Sequence, residues 1–211
     1  THALMQTADL LELRDDLSRE CSRLHKLVSG LSKLGQRLDD SADAVDAAAL
    51  RLHSFYTGVE RMLLLISRVV NGGTPAQGEG WHRRLLERMA MATDTRPAVL
   101  NEATQVELQE YLRFRQLVRN LYADELRLEP IQRLIEQLQH TWPKLETDIT
   151  GFQRWLTSIA KETRANTPQR SDDTISQVDE ALPQRPSGSR HRADLVSTTA
   201  QENQATSSDR G

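Results

Sequence analysis

The sequence predicts an all-α protein, an antiparallel bundle of about five helices with a long N-terminal helix and a disordered C-terminal tail. Apolar residues recur at spacings of three and four over long stretches, which is the helical period. The 10 glycines and 7 prolines concentrate in a few places and leave long uninterrupted runs between them. Because only 4% of the residues are aromatic, the core must be mostly aliphatic, as helical bundles allow.

The first segment, residues 1–40, carries a leucine at every seventh position: Leu10, Leu17, Leu24, Leu31 and Leu38. This seam predicts one long helix from about Thr7 to Leu38. Such a row of leucines can be buried in two ways. Either it packs against other helices of the same chain in a bundle, or it packs against a second copy of the chain in a parallel leucine zipper.

A second helix follows a break at Asp39–Ser41, whose side chains are capping candidates. Its apolar stripe continues to about Val70, and Gly58 within that stripe indicates a close approach of another helix. The sequence NGG at residues 71–73 predicts its end, because glycine tolerates the left-handed conformation found there. A short third helix is predicted from near Trp81 to near Ala92.

The start of the fourth helix has two candidate caps, Asn101 and a capping box formed by Thr104 and Glu107. Pro130 suits the first turn of a fifth helix, and Pro143 is expected to restart or kink it. Residues 41–162 thus form the main helical domain. Residues 163–211 are rich in Ser, Thr, Gln, Asp, Arg and Pro and contain no aromatic residue, which predicts a disordered polar tail.

Charge and cysteine content narrow the function classes. A formal net charge of −3 excludes a molecule that is basic over its whole surface, so any RNA-binding surface must be local. The single cysteine, Cys21, excludes an intrachain disulfide and a cysteine zinc cage and fits a reducing compartment. No apolar stretch approaches the roughly 18 residues that span a membrane, and we expect no signal peptide before the first helix. We expect a cytoplasmic protein with no membrane contact and no cofactor.

The stretch YLRFRQLVRNLYADEL, residues 111–126, should form the last turns of the fourth helix. At 100° per residue, Arg115, Arg119 and Tyr122 share one stripe, while Asn120 points about 140° away unless the helix unwinds. Tyr111 precedes Arg115 by four residues and can stack on its guanidinium. This pattern fits either a solvated helix face or a phosphate-binding site.

The segment RQLVRNLY resembles the motif of the HepT-like branch of the HEPN ribonuclease toxins, which reads Arg, four residues, His, one residue, Tyr. Arg115, Asn120 and Tyr122 occupy the three motif positions, with asparagine in place of the histidine. The stretches HSFYTGVERMLLLISRVVNGGTPAQGEGWHRRLLERM and RPAVLNEATQVELQEYLRFRQLVRNLY resemble a HepT-like subfamily in order and spacing. The resemblance covers roughly residues 53–156.

The resemblance implies an all-helical homodimer in which two copies of the motif face each other across a cleft. It implies a metal-independent RNA endonuclease, paired with a minimal nucleotidyltransferase (MNT-type) as its antitoxin. That partner adds AMP to the motif tyrosine and so blocks the cleft. Here the modified residue would be Tyr122.

Metal-free RNA cleavage needs groups that transfer protons and cations that stabilise the phosphorane. The guanidiniums of Arg115 and Arg119 suit the phosphate, with further phosphate contacts expected from the arginines at positions 83, 84 and 113. Asn120 does not titrate, so it cannot act as a general base. Because lost acid–base help costs about 10²–10⁴-fold, we expect a weakened enzyme.

Two residues outside the motif are accessory candidates. His82 opens the third helix and either replaces the missing imidazole or merely caps the helix. Glu60, with Tyr56, matches a Y-x-x-x-E-R pattern of the family and either orients Arg115 or Arg119 or forms an ordinary surface pair. His53, at the edge of the apolar stripe, is expected to pack or to form a hydrogen bond.

Two readings without catalysis remain open. The chain is a catalytically inactive HEPN dimer that acts as a protein-binding module, or it is a helical interaction protein whose leucine seam forms the contact surface. Neither requires the arginines to meet RNA.

Overall fold

The computed structural model describes residues 6–76, 78–120 and 126–166. Over these residues the chain forms five α-helices, and its extended structure is limited to an isolated bridge between Thr93 and Arg96. The all-α prediction is therefore confirmed. The helices are α1 (Thr7–Gly35), α2 (Ala42–Val70), α3 (Trp81–Met89), α4 (Glu102–Asn120) and α5 (Leu128–Asn166).

Helices α1 and α5 run antiparallel along most of α1. Near one end, Gln153 Nε2 donates to Ser18 Oγ over 2.8 Å. Near the other end the backbones approach so closely that a Cβ at Gly35 would lie 2.7 Å from Ile135 Cγ2. The polar contact and the close approach fix the register of the two helices.

Helices α1 and α2 also run antiparallel, and they approach closely at Gly58. A Cβ at this position would lie 2.6 Å from Leu24 Cδ2 and 3.3 Å from Glu20 Oε1. The close approach predicted for Gly58 is therefore confirmed. Beside it, Arg61 Nη1 donates to the buried Glu20 carboxylate over 3.0 Å. This ion pair links α2 to α1 next to the close approach.

The leucine seam of α1 is buried within its own chain. Leu10, Leu17, Leu24 and Leu31 are at most 2% exposed, packed in one hydrophobic core with residues of α2 and α5. Of the two arrangements considered for the leucine seam, the structure therefore has the bundle within one chain, and no second copy is needed to bury these leucines. Residues 1–40, set apart in the sequence as a separate segment, contribute α1 to the same core as the helices that follow.

Helix α4 begins after Asn101, whose side chain caps it. Asn101 Oδ1 accepts from the Thr104 backbone N–H over 2.9 Å, and Asp148 on α5 holds the Asn101 amide over 2.9 Å. The alternative capping box is wrong, because the Glu107 carboxylate instead accepts hydrogen bonds from Thr141 and Lys144 on α5. These contacts orient α4 antiparallel to α5, so α1 and α4 run one way and α2 and α5 the other.

Helix α5 is a single helix of 39 residues that continues through Pro143. Pro143 therefore does not restart the helix, although its missing N–H removes one backbone hydrogen bond. Pro130 lies in the first turn, as predicted. The helix extends to Asn166, and the remainder of the predicted tail, 167–211, lies outside the described residues.

The loop between α3 and α4 is organised by Arg96, which is 3% exposed. Burial, followed by the nearby Arg88, lowers the pKa of its guanidinium. Four acceptors satisfy the side chain: Asn71 Oδ1 and the carbonyls of Arg88, Met91 and Pro97. Arg96 thereby links the end of α2 to the end of α3.

Within the described parts of the chain, no helix is both long enough and apolar enough to cross a membrane.

Candidate functional site

Helices α2, α3 and α4 meet at three charged or titratable side chains, Glu60, His82 and Arg115. The Glu60 Oε2 atom lies 2.5 Å from His82 Nδ1, and Glu60 Oε1 lies 3.6 Å from Arg115 Nη2. The side chains of Glu60 and His82 are 9% and 14% exposed. That of Arg115 is 12% exposed. We call these three residues the Glu–His–Arg centre.

The position of Glu60 follows from the apolar pattern of α2. Tyr56 lies four residues before Glu60, and Leu63 lies three residues after it. Both are buried, so Glu60 lies on the same inward face of α2. A buried carboxylate is costly unless it is paired and hydrogen-bonded. The imidazole of His82 and the guanidinium of Arg115 supply that pairing from two other helices.

His82 is positioned by the first turn of α3. Gly80 precedes the helix with a φ of 72°, a left-handed conformation that glycine adopts without steric cost. Trp81 then stacks on the imidazole with ring centroids 3.8 Å apart. The stacking and the carboxylate together restrict the imidazole to one orientation.

The third side of the centre is the contact between His82 and Arg115, where Nε2 lies 3.5 Å from Nη1. When His82 carries its proton on Nδ1 and donates it to Glu60, Nε2 is free to accept from the guanidinium. A carboxylate that fixes the tautomer and orientation of a histidine is the arrangement that prepares an imidazole for proton transfer. The centre thus places an imidazole directly beside a guanidinium.

His53 lies on the same face of α2 as Glu60, two helical turns earlier. Its ring is half-buried, and its Nδ1 atom is buried with no hydrogen-bond partner in the protein. Burial, then Arg115 and Arg119, lowers the pKa of His53, while Glu60 acts in the opposite direction. Of the two expectations for His53, packing agrees with the half-buried ring, whereas the buried Nδ1 has no hydrogen-bond partner in the protein and lies near two arginines.

Arg115 Nε is likewise buried and has no hydrogen-bond partner in the protein. The other two nitrogens of this guanidinium face Glu60 and His82. Buried donors without a partner are uncommon in folded proteins and call for an explanation. Here two of them occur in neighbouring side chains of α2 and α4.

Two tyrosines near the centre belong to the core. Tyr56 is 1% exposed, and burial followed by the charge of Glu60 raises the pKa of its hydroxyl. Tyr111 packs edge to face on Phe55 with ring centroids 5.3 Å apart, and its hydroxyl donates to the Leu134 carbonyl over 3.0 Å. The stacking expected between Tyr111 and Arg115 is not found among the described residues.

The predicted phosphate-binding arginines outside the centre lie at the surface. Arg119 is exposed on α4, one turn beyond Arg115. Arg113 and Arg83 form exposed ion pairs with glutamates on their own helices. Arg84 donates to the carbonyls of Glu79 over 2.6 Å and Ala76 over 3.3 Å, and so holds the loop before α3. Their contact with RNA stays a prediction.

Two motif positions lie at the end of α4 or just after it, where the structure describes little or nothing of them. Asn120 is the last residue of α4, and its side chain is not described. Tyr122 lies outside the described residues. Their predicted roles therefore stay predictions. Among residues 6–76, 78–120 and 126–166, no group of three or more His, Cys, Asp or Glu side chains is arranged to hold a metal ion.

The sequence contained one signal for His53 that the motif did not include. His53 and Glu60 are separated by seven residues, which places them on the same face of a helix. Two polar residues at that spacing, within an otherwise apolar stripe, indicate a polar strip that crosses a packed face. His53 therefore belonged with the candidates around Glu60.

A protein-family model described as "HepT-like protein" matches residues 47–156, more than half of the chain. The matched segment extends from α2 into α5 and contains the whole Glu–His–Arg centre, while α1 precedes it. No curated protein and no solved structure matches the chain.

Proposed function

The chain belongs to the HepT-like family of HEPN-type proteins, and from this premise we propose that it is a metal-independent RNA endonuclease, the toxin of a toxin–antitoxin pair. The observation that carries the proposal is the Glu–His–Arg centre, in which Glu60 holds His82 over 2.5 Å beside Arg115. An imidazole can transfer a proton and a guanidinium can stabilise the phosphorane, and metal-free phosphodiester cleavage uses both kinds of group.

In this proposal Arg115 binds the scissile phosphate. Its contact with Glu60 is 3.6 Å long, so a phosphate oxygen at hydrogen-bond distance competes well for the guanidinium. Arg119, exposed one turn further along α4, extends the cationic surface toward the neighbouring phosphate. Both side chains stay charged throughout, which stabilises the phosphorane as its negative charge develops.

The proton transfer that the motif histidine would perform falls to His82. Its Nε2 atom lies 3.5 Å from Arg115 Nη1, so it faces whatever the guanidinium binds. The Glu60 carboxylate at Nδ1 stabilises the imidazolium form of His82, in which Nε2 carries the proton that is transferred. Asn120 contributes a hydrogen bond at most, so the enzyme is weaker than one that also carries the motif histidine.

The partners follow from the family rather than from the contacts. We propose a homodimer in which the centres of two copies face one cleft, with single-stranded RNA as substrate. An MNT-type nucleotidyltransferase is proposed as the antitoxin, which adds AMP to Tyr122 and closes the cleft. The reaction belongs in the cytoplasm, where RNA and the nucleotide donor are both present.

The decisive experiment is RNA cleavage by the purified protein in EDTA, with single-turnover rates for wild type, Arg115→Ala and His82→Gln. We expect each variant to lose about 10²–10⁴-fold in rate. His140→Gln is the matched control, because His140 is exposed on α5 and the acid near it is Glu107, not Glu60. Cleavage that survives unchanged in Arg115→Ala would contradict the assignment of the centre.

A second candidate function is a catalytically inactive HEPN dimer that acts as a protein-binding module. The observation that favours it is the low exposure of Arg115, 12% of the side chain, with Glu60 already serving as its counter-ion. This reading predicts no cleavage by wild type or by Asn120→His. It also predicts that the protein still binds a nucleotidyltransferase and still accepts AMP on Tyr122.

A further inference from the structure

We propose that His53 is a second proton-transfer residue of the same centre, the general base that activates the 2′-hydroxyl while His82 protonates the leaving oxygen. This inference rests on the proposed ribonuclease function. It assigns to α2 a catalytic residue that lies outside the Arg115–Tyr122 motif, and it pairs two imidazoles around one arginine.

The helical geometry brings His53 to the arginines. On α2 the seven residues from His53 to Glu60 correspond to about 10 Å along one face. Helix α4 runs antiparallel to α2, so Arg115 and Arg119 pass along this face, and Arg115 reaches Glu60 at its far end. His53 and His82 therefore flank Arg115 from two different helices.

The hydrogen-bond pattern between these helices is incomplete. His53 Nδ1 and Arg115 Nε are both buried, and neither has a hydrogen-bond partner in the protein. Such atoms reduce stability, so a folded protein retains them mainly where they have another use. Both atoms are closed off from solvent, so an RNA phosphate with its adjacent 2′-hydroxyl meets the exposed part of the half-buried imidazole and the remaining nitrogens of the guanidinium.

The charges around His53 suit a base. Arg115 and Arg119 face it from α4, and Glu60 faces it from its own helix. Burial and the two arginines keep the pKa of His53 below its usual value, so the ring is neutral at neutral pH and able to accept a proton. His82 has the opposite surroundings, since a carboxylate contacts its Nδ1 directly. A carboxylate at Nδ1 favours the charged imidazole, which is the form that donates a proton from Nε2.

The proposed step balances as an internal transesterification. His53 takes the proton of the 2′-hydroxyl, and the 2′-oxygen attacks the adjacent phosphorus. As the new P–O2′ bond forms, the P–O5′ bond breaks and the 5′-oxygen receives a proton from His82. The products are a 2′,3′-cyclic phosphate and a 5′-hydroxyl end. Arg115 stabilises the phosphorane between the two imidazoles.

The first test is the pH dependence of single-turnover cleavage in EDTA for wild type, His53→Gln and His82→Gln, with His140→Gln as the control. We expect His53→Gln to lower the rate at pH 7 by about 100-fold or more. It should abolish the rise of the rate with pH on the acid side, whereas His82→Gln should abolish the fall on the alkaline side. His140→Gln should keep both limbs.

The second test does not depend on cleavage. NMR titration of the imidazoles is recorded with and without a DNA oligonucleotide, which supplies phosphates but lacks the 2′-hydroxyl. We expect the titration midpoint of His53 to rise by about half a pH unit when the DNA binds, because a phosphate partly offsets the arginine charges. The rise should be absent in Arg115→Ala.

The outcomes separate the two proposals. If wild type cleaves RNA and His53→Gln retains the wild-type rate and pH profile while folded, the role of His53 is wrong and the ribonuclease function stands. If binding of the DNA shifts the titration midpoint of His82 but leaves that of His53 unchanged, His53 lies outside the binding site and the inference is overturned. If folded wild type never cleaves RNA, the proposed function fails and this inference fails with it.

Discussion

The Glu60 carboxylate lies 2.5 Å from His82 Nδ1 and so joins the middle of α2 to the first turn of α3. Its other oxygen faces Arg115 of α4. One buried acid therefore sets the position of an imidazole and a guanidinium that come from different parts of the sequence. Its removal should affect stability and activity together, which makes Glu60 the most informative single position.

We predict that Glu60→Gln lowers the free energy of unfolding by about 1–3 kcal/mol, because Arg115 and His82 lose their buried counter-charge. RNA cleavage should fall by about tenfold or more, since the imidazole is no longer oriented by a carboxylate. Urea denaturation and single-turnover kinetics measure the two effects. Glu110→Gln is the control, because its pair with Arg113 is exposed and should change stability by about 0.5 kcal/mol or less.

Restoring the motif histidine should raise activity. We predict that Asn120→His increases the cleavage rate at pH 7 by about tenfold or more, because an imidazole can transfer protons that an amide cannot. The comparison is made in EDTA with wild type and with Asn120→Gln, which changes size without adding a titratable group. An unchanged rate in a folded Asn120→His variant would mean that the end of α4 does not reach the scissile phosphate.

His53 should make the folded protein less stable as the pH falls below neutrality. Its pKa in the folded protein lies below its ordinary value, through burial and the two arginines. As the pH falls through about 6.5, the unfolded chain takes up a proton that the folded protein refuses, so folding loses stability. Above that range both states are neutral at this residue and the effect vanishes.

We therefore predict that His53→Gln loses less stability than wild type between pH 7.5 and pH 5. Urea denaturation at several pH values measures the difference, and His140→Gln should follow the wild-type curve. Parallel curves for wild type and His53→Gln would contradict the position of His53 beside Arg115 and Arg119.

The close approach of α1 and α2 gives a prediction with an internal control. Gly58→Val should lower the free energy of unfolding by about 2 kcal/mol or more, because its added atoms meet Leu24 and Glu20. Gly30→Val should be neutral or slightly stabilising, since a Cβ at Gly30 meets nothing within 4 Å and valine has the higher helix propensity. Equal effects at the two glycines would contradict the packing of α1 on α2.

The helices were predictable because their apolar period is local information. The end of α2 at Val70 and the start of α3 at Trp81 are found as predicted, each marked by nearby glycines. Arg96 was not predictable, because its acceptors belong to α3, the following loop and the end of α2. The Glu107 contact with α5 was missed for the same reason, since local spacing suggested a cap.

Only part of the candidate site could be predicted from the sequence. The motif directed attention to Arg115, and the Y-x-x-x-E-R pattern to Glu60, but Glu60 had an ordinary surface pair as an equal alternative. That choice depends on how α3 and α4 pack on α2, which no spacing along one helix contains. Arg61, the last residue of the pattern, contacts Glu20 of α1 instead.

The packing of α1 has a practical consequence for anyone who trims this protein. The family match begins at residue 47, yet the leucines of α1 cover the apolar faces of α2 and α5. A recombinant fragment cut to residues 47–156 would present those faces to water and invite aggregation. A fragment meant for expression should therefore begin before α1, at or before Thr7, rather than at the start of the family match.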